Sequence, residues 1–141
     1  WVPELLVASF HGLPVDYVQR GDPYVTECAR TMTALREALN MTPQELPLTF
    51  QSRFGPTRWL GPYTEPKVVK LAERGVRRIA VLTPGFMADC IETLDEIGNE
   101  LREAFHHAGG ERFATIPCLN ADDAAIDLLE SLVRRELSGW R

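Results

Sequence analysis

Cysteine is scarce in this chain: three in 141 residues, at positions 28, 90 and 118, with no C-x-x-C spacing. An odd, scattered set argues against a disulfide framework or a zinc ribbon and fits reduced thiols in a cytosol-like compartment, hence a cytoplasmic location. Long apolar runs are lacking too, since none approaches the roughly 20 residues of a membrane-spanning helix. Positive charge is in deficit, with 15 Lys and Arg against 20 Asp and Glu and a formal net charge of -5. Nucleic acid, a polyanion, would want the opposite balance. No strand end carries G-x-G-x-x-G or a G-x-x-x-x-G-K phosphate loop, and no serine sits in a nucleophile-elbow pattern. What is present is an ordinary globular composition, 45% hydrophobic and 25% charged, in a length suited to one domain. The first residue is Trp1, not Met, so the chain reads as a piece of something longer.

Apolar runs of strand length alternate with segments of helical period. Glu4 to Ser9 reads as the first strand. Asp22-Pro23 then opens a helix that runs to about Leu39 and stops at Asn40, because Asp caps well and Pro at the first position forfeits only an orphan bond. Leu46 to Gln51 is a weaker strand with Pro47 inside it. A helix from Thr64-Glu65-Pro66 stops at Gly75, and Arg77 to Thr83 is a continuous, β-branched strand of the buried parallel kind. A long helix is expected from Asp89 to about Ala108, a fourth strand from Arg112 to Ile116, and a final helix capped by Asn120. This β-α alternation implies an α/β fold: a doubly wound four-stranded parallel sheet with helices on both faces. Ligands of such sheets bind at the carboxyl ends of the strands, so the loops after strands one, two and three are the ones to inspect.

The first of these loops holds His11, whose imidazole could accept a proton near neutral pH or ligate a metal; a lone loop histidine is also often there for structural hydrogen bonding. The second holds Gln51-Ser52-Arg53-Phe54-Gly55 and then Trp59 and Tyr63. These aromatics could wall a flat apolar ligand or simply cover the sheet edge. After the third strand, Asp89 and Glu92 have the spacing of a capping box, which accounts for both carboxylates without chemistry.

A capping box does not account for the residues that follow. Glu92, Glu96, Glu100 and Glu103 fall within about 80° of one another on a helix with a 100° step, while Ile91, Leu94, Ile97, Leu101 and Phe105 form the apolar side. Like charges four apart repel unless something cationic sits among them. The stripe therefore suggests a track of hard oxygen ligands for a cation, the alternative being a solvated acidic face. Gly98, in mid-helix, costs about 1 kcal/mol against Ala and suggests close packing or a bulge. His106-His107 suit terminal carbonyls better than a metal, and Cys90 reads as a packed thiol.

Taken together, Ser9-Phe10-His11-Gly12-Leu13-Pro14, Gly21-Asp22-Pro23-Tyr24, Gln51-Ser52-Arg53-Phe54-Gly55 with Trp59-Leu60, Pro84-Gly85-Phe86, Asp89-Cys90-Ile91-Glu92-Thr93-Leu94 with Glu96, and Cys118-Leu119-Asn120 resemble ferrochelatase. The likeness is to the C-terminal half of a two-lobed enzyme that holds porphyrin in the cleft between lobes. It implies insertion of Fe2+ into a porphyrin, protoporphyrin IX, to form haem. Carried over by residue, it implies that His11 is the catalytic histidine, as proton acceptor or metal ligand, and that Glu92 is the acid opposite it. It implies that Asp89, Glu96 and Glu100 form an acidic metal or proton track, and that Gln51, Ser52 and Trp59 lie by the porphyrin. The long helix is locally irregular in relatives, which suits Gly98. Some members carry a 2Fe–2S cluster on cysteines of a C-terminal extension; this chain ends at Gly139-Trp140-Arg141, so none is expected from this segment. No redox cofactor is needed, because the iron enters and leaves as Fe2+.

The implied partners are the porphyrin and Fe2+ substrates and the missing N-terminal half, without which the fragment is expected to fold but turn over poorly. Two other readings stand beside this one: a chelatase for another metal or tetrapyrrole, and a non-catalytic module that binds a flat cofactor or a partner through its carboxyl edge. A binding module has no need of Glu92 and Glu96 together.

Overall fold

The computed structural model describes residues 1–140. Four strands, β1 (Leu5–His11), β2 (Leu48–Gln51), β3 (Arg78–Leu82) and β4 (Arg112–Thr115), form one sheet in the order β2-β1-β3-β4. Every pairing is parallel, the doubly wound arrangement expected from the alternation. Because β1 sends its successors to opposite sides, the chain reverses direction across the sheet at β1. The crevice at its carboxyl end is the position where such folds bind ligands.

Side chains along β1 alternate between two cores. On one face Val7, Ile79 and Val81 pack with Val68 and Ala72 of α3 (Thr64–Glu73) and with Ile97, Leu101 and Phe105. On the other, Ala8, Phe10 and Phe50 pack with Cys28 and Met32 of α2 (Tyr24–Leu39). The Asp22 side chain accepts the Tyr24 N–H at 2.8 Å to start α2, and Asn40 ends it in the left-handed conformation (φ 52°). A one-turn helix not evident in the sequence, α1 (Val15–Gln19), follows the His11 loop.

The long third-loop helix differs from the regular α-helix expected. Glu92–Leu101 is a π-helix with i→i+5 bonding, and it continues directly into α4 (Arg102–His107). In this wider coil four residues fall just short of a turn, where in an α-helix they overshoot it. Steps of four therefore stay aligned, giving a buried row of Thr93, Ile97 and Leu101. Steps of three do not, so Ile91 and Leu94, expected in the apolar side, are 71% and 60% exposed. At Gly98 a Cβ would stand 3.4 Å from Thr93 O, an ordinary contact, so space alone does not require glycine there. His106 meets at 2.9 Å the carbonyl of Gly110, a residue beyond the end of α4, and not one of that helix's own terminal carbonyls as expected.

The last helix, α5 (Asp123–Glu136), buries only Ala125. Ile126, Leu128, Leu129, Leu132 and Val133 remain exposed along it. Among the described residues no helix is long and apolar enough to cross a membrane.

Candidate active site

His11 and Gln51 are the last residues of β1 and β2 and are paired in register. The next residue, Gly12, donates its N–H to Gln51 O at 2.8 Å. A Cβ there would lie 2.7 Å from that oxygen and 3.1 Å from the Trp59 ring, so the two loops meet at a distance only glycine allows. The His11 carbonyl accepts the Tyr24 hydroxyl at 2.9 Å. Its ring lies between Trp59 and Phe86, with centroids 6.5 and 6.2 Å away.

His11 Nδ1 is 2.7 Å from the Gly12 carbonyl oxygen. A carbonyl only accepts, so Nδ1 carries the proton in this bond and the neutral ring keeps its lone pair on Nε2. Trp59 is held by its indole N–H to Phe54 O at 2.8 Å and by the Tyr63 hydroxyl on its own carbonyl at 3.1 Å.

His11, Ser52, Trp59, Glu92, Glu96 and Glu100 line one open cleft of about 510 Å³. Arg53, Phe54, Ile91 and Asp95 line it too, and the sequence reading did not single them out as site residues. Spacing could have offered Asp95, three after Glu92. Ile91 was hidden by its assignment to the core.

The carboxylates singled out by the sequence are held very differently. Glu92 lies below the usual carboxylate range, chiefly because the Cys90 thiol donates to it, then through its own backbone N–H and the positive charge of His11. Glu96 accepts from Ser52 N (2.7 Å), Ser52 Oγ (2.5 Å) and Gln51 Nε2 (3.1 Å). Ser52 adopts a left-handed backbone (φ 61°), a conformation that costs a non-glycine residue about 1 kcal/mol, and from it both its N–H and its hydroxyl reach one carboxylate. Glu100 is exposed and also borders a neighbouring cavity of about 190 Å³ that Glu65 and Thr64 share.

Asp89 stands apart and does not line the cleft. Its Oδ1 accepts from Thr93 Oγ1 (3.0 Å) and Cys118 N (3.3 Å), and its Oδ2 from Asn120 Nδ2 (2.7 Å). These bonds, Asn120 first, hold it below the usual range. The expected capping box is not formed: the Asp89 N–H goes to Asn120 Oδ1 at 2.8 Å, so neither it nor Asn120 serves the helix it was expected to cap. Asn120 is drawn toward Asp89, and Asp122 takes the N-cap position of α5.

Gln51 departs from expectation as well. It is 3% exposed and does not line the cleft, bordering instead the neighbouring cavity that Glu96 and Glu100 share. Ser9 Oγ donates to its Oε1 at 2.8 Å, and its Nε2 donates to Glu92 O at 2.8 Å and to Glu96. Both polar atoms of the amide are used: Oε1 joins β2 to β1 and Nε2 ties the sheet to the π-helix. Among the described residues no three His, Cys, Asp or Glu side chains converge as a metal-holding group. His11, Glu92, Glu96 and Glu100 are strung along the cleft wall instead of closing into a cage.

Residues 2–137 match the family model described as Ferrochelatase. Curated relatives bearing that name include those of Gluconobacter oxydans, 58% identical over 139 residues, Allorhizobium ampelinum, 56% over 140, and Rhizobium leguminosarum, 54% over 140. Each alignment takes in 99% of this chain but only 40–41% of the relative.

Proposed function

Because the chain belongs to the ferrochelatase family, we propose that it supplies one wall of an enzyme that inserts Fe2+ into protoporphyrin IX to form haem. The observation that carries this reading is the pairing in one cleft of His11, whose Nδ1 is taken up by the Gly12 carbonyl so that the ring meets a ligand through Nε2, with Glu92 held ionised. Metallation releases two pyrrole protons for each Fe2+ that enters, so the site needs a proton acceptor and anionic oxygens to replace water on the incoming ion. His11 Nε2 takes one pyrrole proton, passes it to solvent and then takes the second, so that two protons leave for the one Fe2+ that enters. Glu92, still charged when that happens, stabilises the resulting imidazolium and attracts the metal. Glu96 and Glu100 continue the line of oxygens away from Glu92. Trp59 and Ser52 border the porphyrin, with Phe54 and Ile91 adding apolar surface, while Gln51 acts from beneath as a brace.

The other porphyrin-facing wall comes from the portion of the relatives that this chain does not span. Iron passes through as Fe2+, so no redox cofactor takes part, and this segment supplies no iron–sulfur cluster. On this reading the enzyme works in the cytoplasm.

The test is anaerobic porphyrin metallation, followed by loss of porphyrin fluorescence after Fe2+ or Zn2+ is added, with this chain alone and with the full-length enzyme. Metallation by the full-length enzyme that falls by about 100-fold or more in His11→Ala, with porphyrin still bound, supports the reading. Porphyrin binding without metallation in the wild type would make this a binding relative and remove the proposed chemistry.

A further inference from the structure

The turn that precedes the π-helix is fastened to the loop after β4 by a reciprocal pair. The Asp89 N–H donates to Asn120 Oδ1 at 2.8 Å, and Asn120 Nδ2 donates back to Asp89 Oδ2 at 2.7 Å. The Asn120 amide also reaches Cys118 O at 3.0 Å, and its backbone N–H bonds Met87 O at 2.9 Å. Asn120 sits at φ 51°, a conformation asparagine tolerates better than most residues. It also presents a donor and an acceptor in one plane, which an aspartate at neutral pH does not.

The fastening continues toward the cleft. Asp89 Oδ1 accepts the Thr93 hydroxyl at 3.0 Å, and the same Thr93 oxygen accepts Cys90 N–H at 3.0 Å. Glu92 lies inside this closed turn, and its carbonyl is bound from the opposite side by Gln51 at 2.8 Å. Two tethers, one from β2 and one from the loop after β4, thus meet at the peptide that carries Glu92. Neither Asp89 nor Asn120 lines the cleft.

We infer that Asn120 is a positioning residue, which through Asp89 and Thr93 fixes the turn that aims the Glu92 carboxylate into the cleft. The inference rests on the metallation reading of that cleft. It gives Asp89 a supporting task in place of the metal-ligand role that family resemblance suggested. Misplacing a reacting group slightly is costly to turnover even where binding survives.

The test is a swap in the full-length enzyme, with Zn2+ insertion and porphyrin fluorescence titration as readouts. Asn120→Asp and Asp89→Asn each lower kcat about tenfold while the porphyrin Kd stays within about twofold. The double variant keeps the bond from the residue 89 backbone N–H and restores the side-chain bond with donor and acceptor traded, giving up only the bond to Cys118 O, and recovers kcat to within about threefold of wild type. Single variants within about twofold of wild-type kcat overturn the inference. So does a double variant no better than the worse single, since Asp89 would then act directly. Asn120→Gly, which suits the backbone conformation, covers the case in which Asn120→Asp does not fold. Amide hydrogen exchange over residues 89–93 in that variant needs no turnover: about tenfold faster exchange supports the tether, and unchanged exchange overturns it. Failure of the wild type to metallate would count against the proposed function, while the exchange result would still decide the tether.

Discussion

The cleft wall and the frame behind it are both built from polar side chains, used in opposite ways. On the wall, His11 spends one ring nitrogen on Gly12 and keeps the other open. Glu92 is charged and half-buried, with its carboxylate at the cleft surface. Behind them, the Gln51 amide is used at both ends, and both Asp89 oxygens are engaged. Chemistry needs groups with capacity left over, whereas support needs groups with none. Two acids three residues apart, Asp89 and Glu92, thus belong to different classes, and their hydrogen-bond partners separate them where residue type does not.

The comparison breaks most visibly at Glu92. Glu92→Gln keeps the backbone tether to Gln51 and removes only the charge, so metallation by the full-length enzyme should fall about 100-fold or more with porphyrin affinity nearly unchanged. An active Glu92→Gln enzyme would move Glu92 from the wall to the frame. Gly12→Ala probes the contact where wall and frame meet. Its methyl must push Gln51 O or Trp59 aside, so a loss of about 1–3 kcal/mol is expected, seen as a lower Tm. An unchanged Tm would show that this contact yields freely.

The smallest effect sharpens the boundary between the two. Glu92 is held below its ordinary value of 4.5, so its charge, and any stability or activity that depends on it, persists above that value. It is lost only as pH falls through the lowered one. Cys90→Ala removes the largest cause of the shift. The acid limb of kcat/KM should then rise toward 4.5. A limb that does not move would leave the other two causes, the Glu92 N–H and His11, as sufficient.

Much of this architecture was legible in the residues. Turn signals and β-branched runs mark each strand to within a few positions, and alternation dictates the parallel sheet. His11, Ser52, Trp59, Glu92, Glu96 and Glu100 reach one cleft because strand ends and a stripe of period four are local patterns. The π-helix was not legible. Over ten residues a stripe at every fourth position fits a coil slightly narrower or slightly wider than four per turn, and only the apolar residues at steps of three, Ile91 and Leu94, betray the difference. The fates of Gln51 and Asn120 were hidden for another reason. A polar residue after a strand reads as a ligand contact, and one before a helix reads as a cap. Which partner wins depends on groups 41 residues away for Gln51 and 31 away for Asn120.

The left-handed Ser52 gives the site a reporter of its own. Its amide proton points at the carboxylate of Glu96 from 2.7 Å, a short charge-assisted bond that should move its NMR resonance well downfield. A cation or proton that recruits Glu96 must weaken that bond, and the backbone conformation it supports loses its compensation at the same moment. One labelled amide, observed without touching the cleft, would therefore register the passage of charge along the wall.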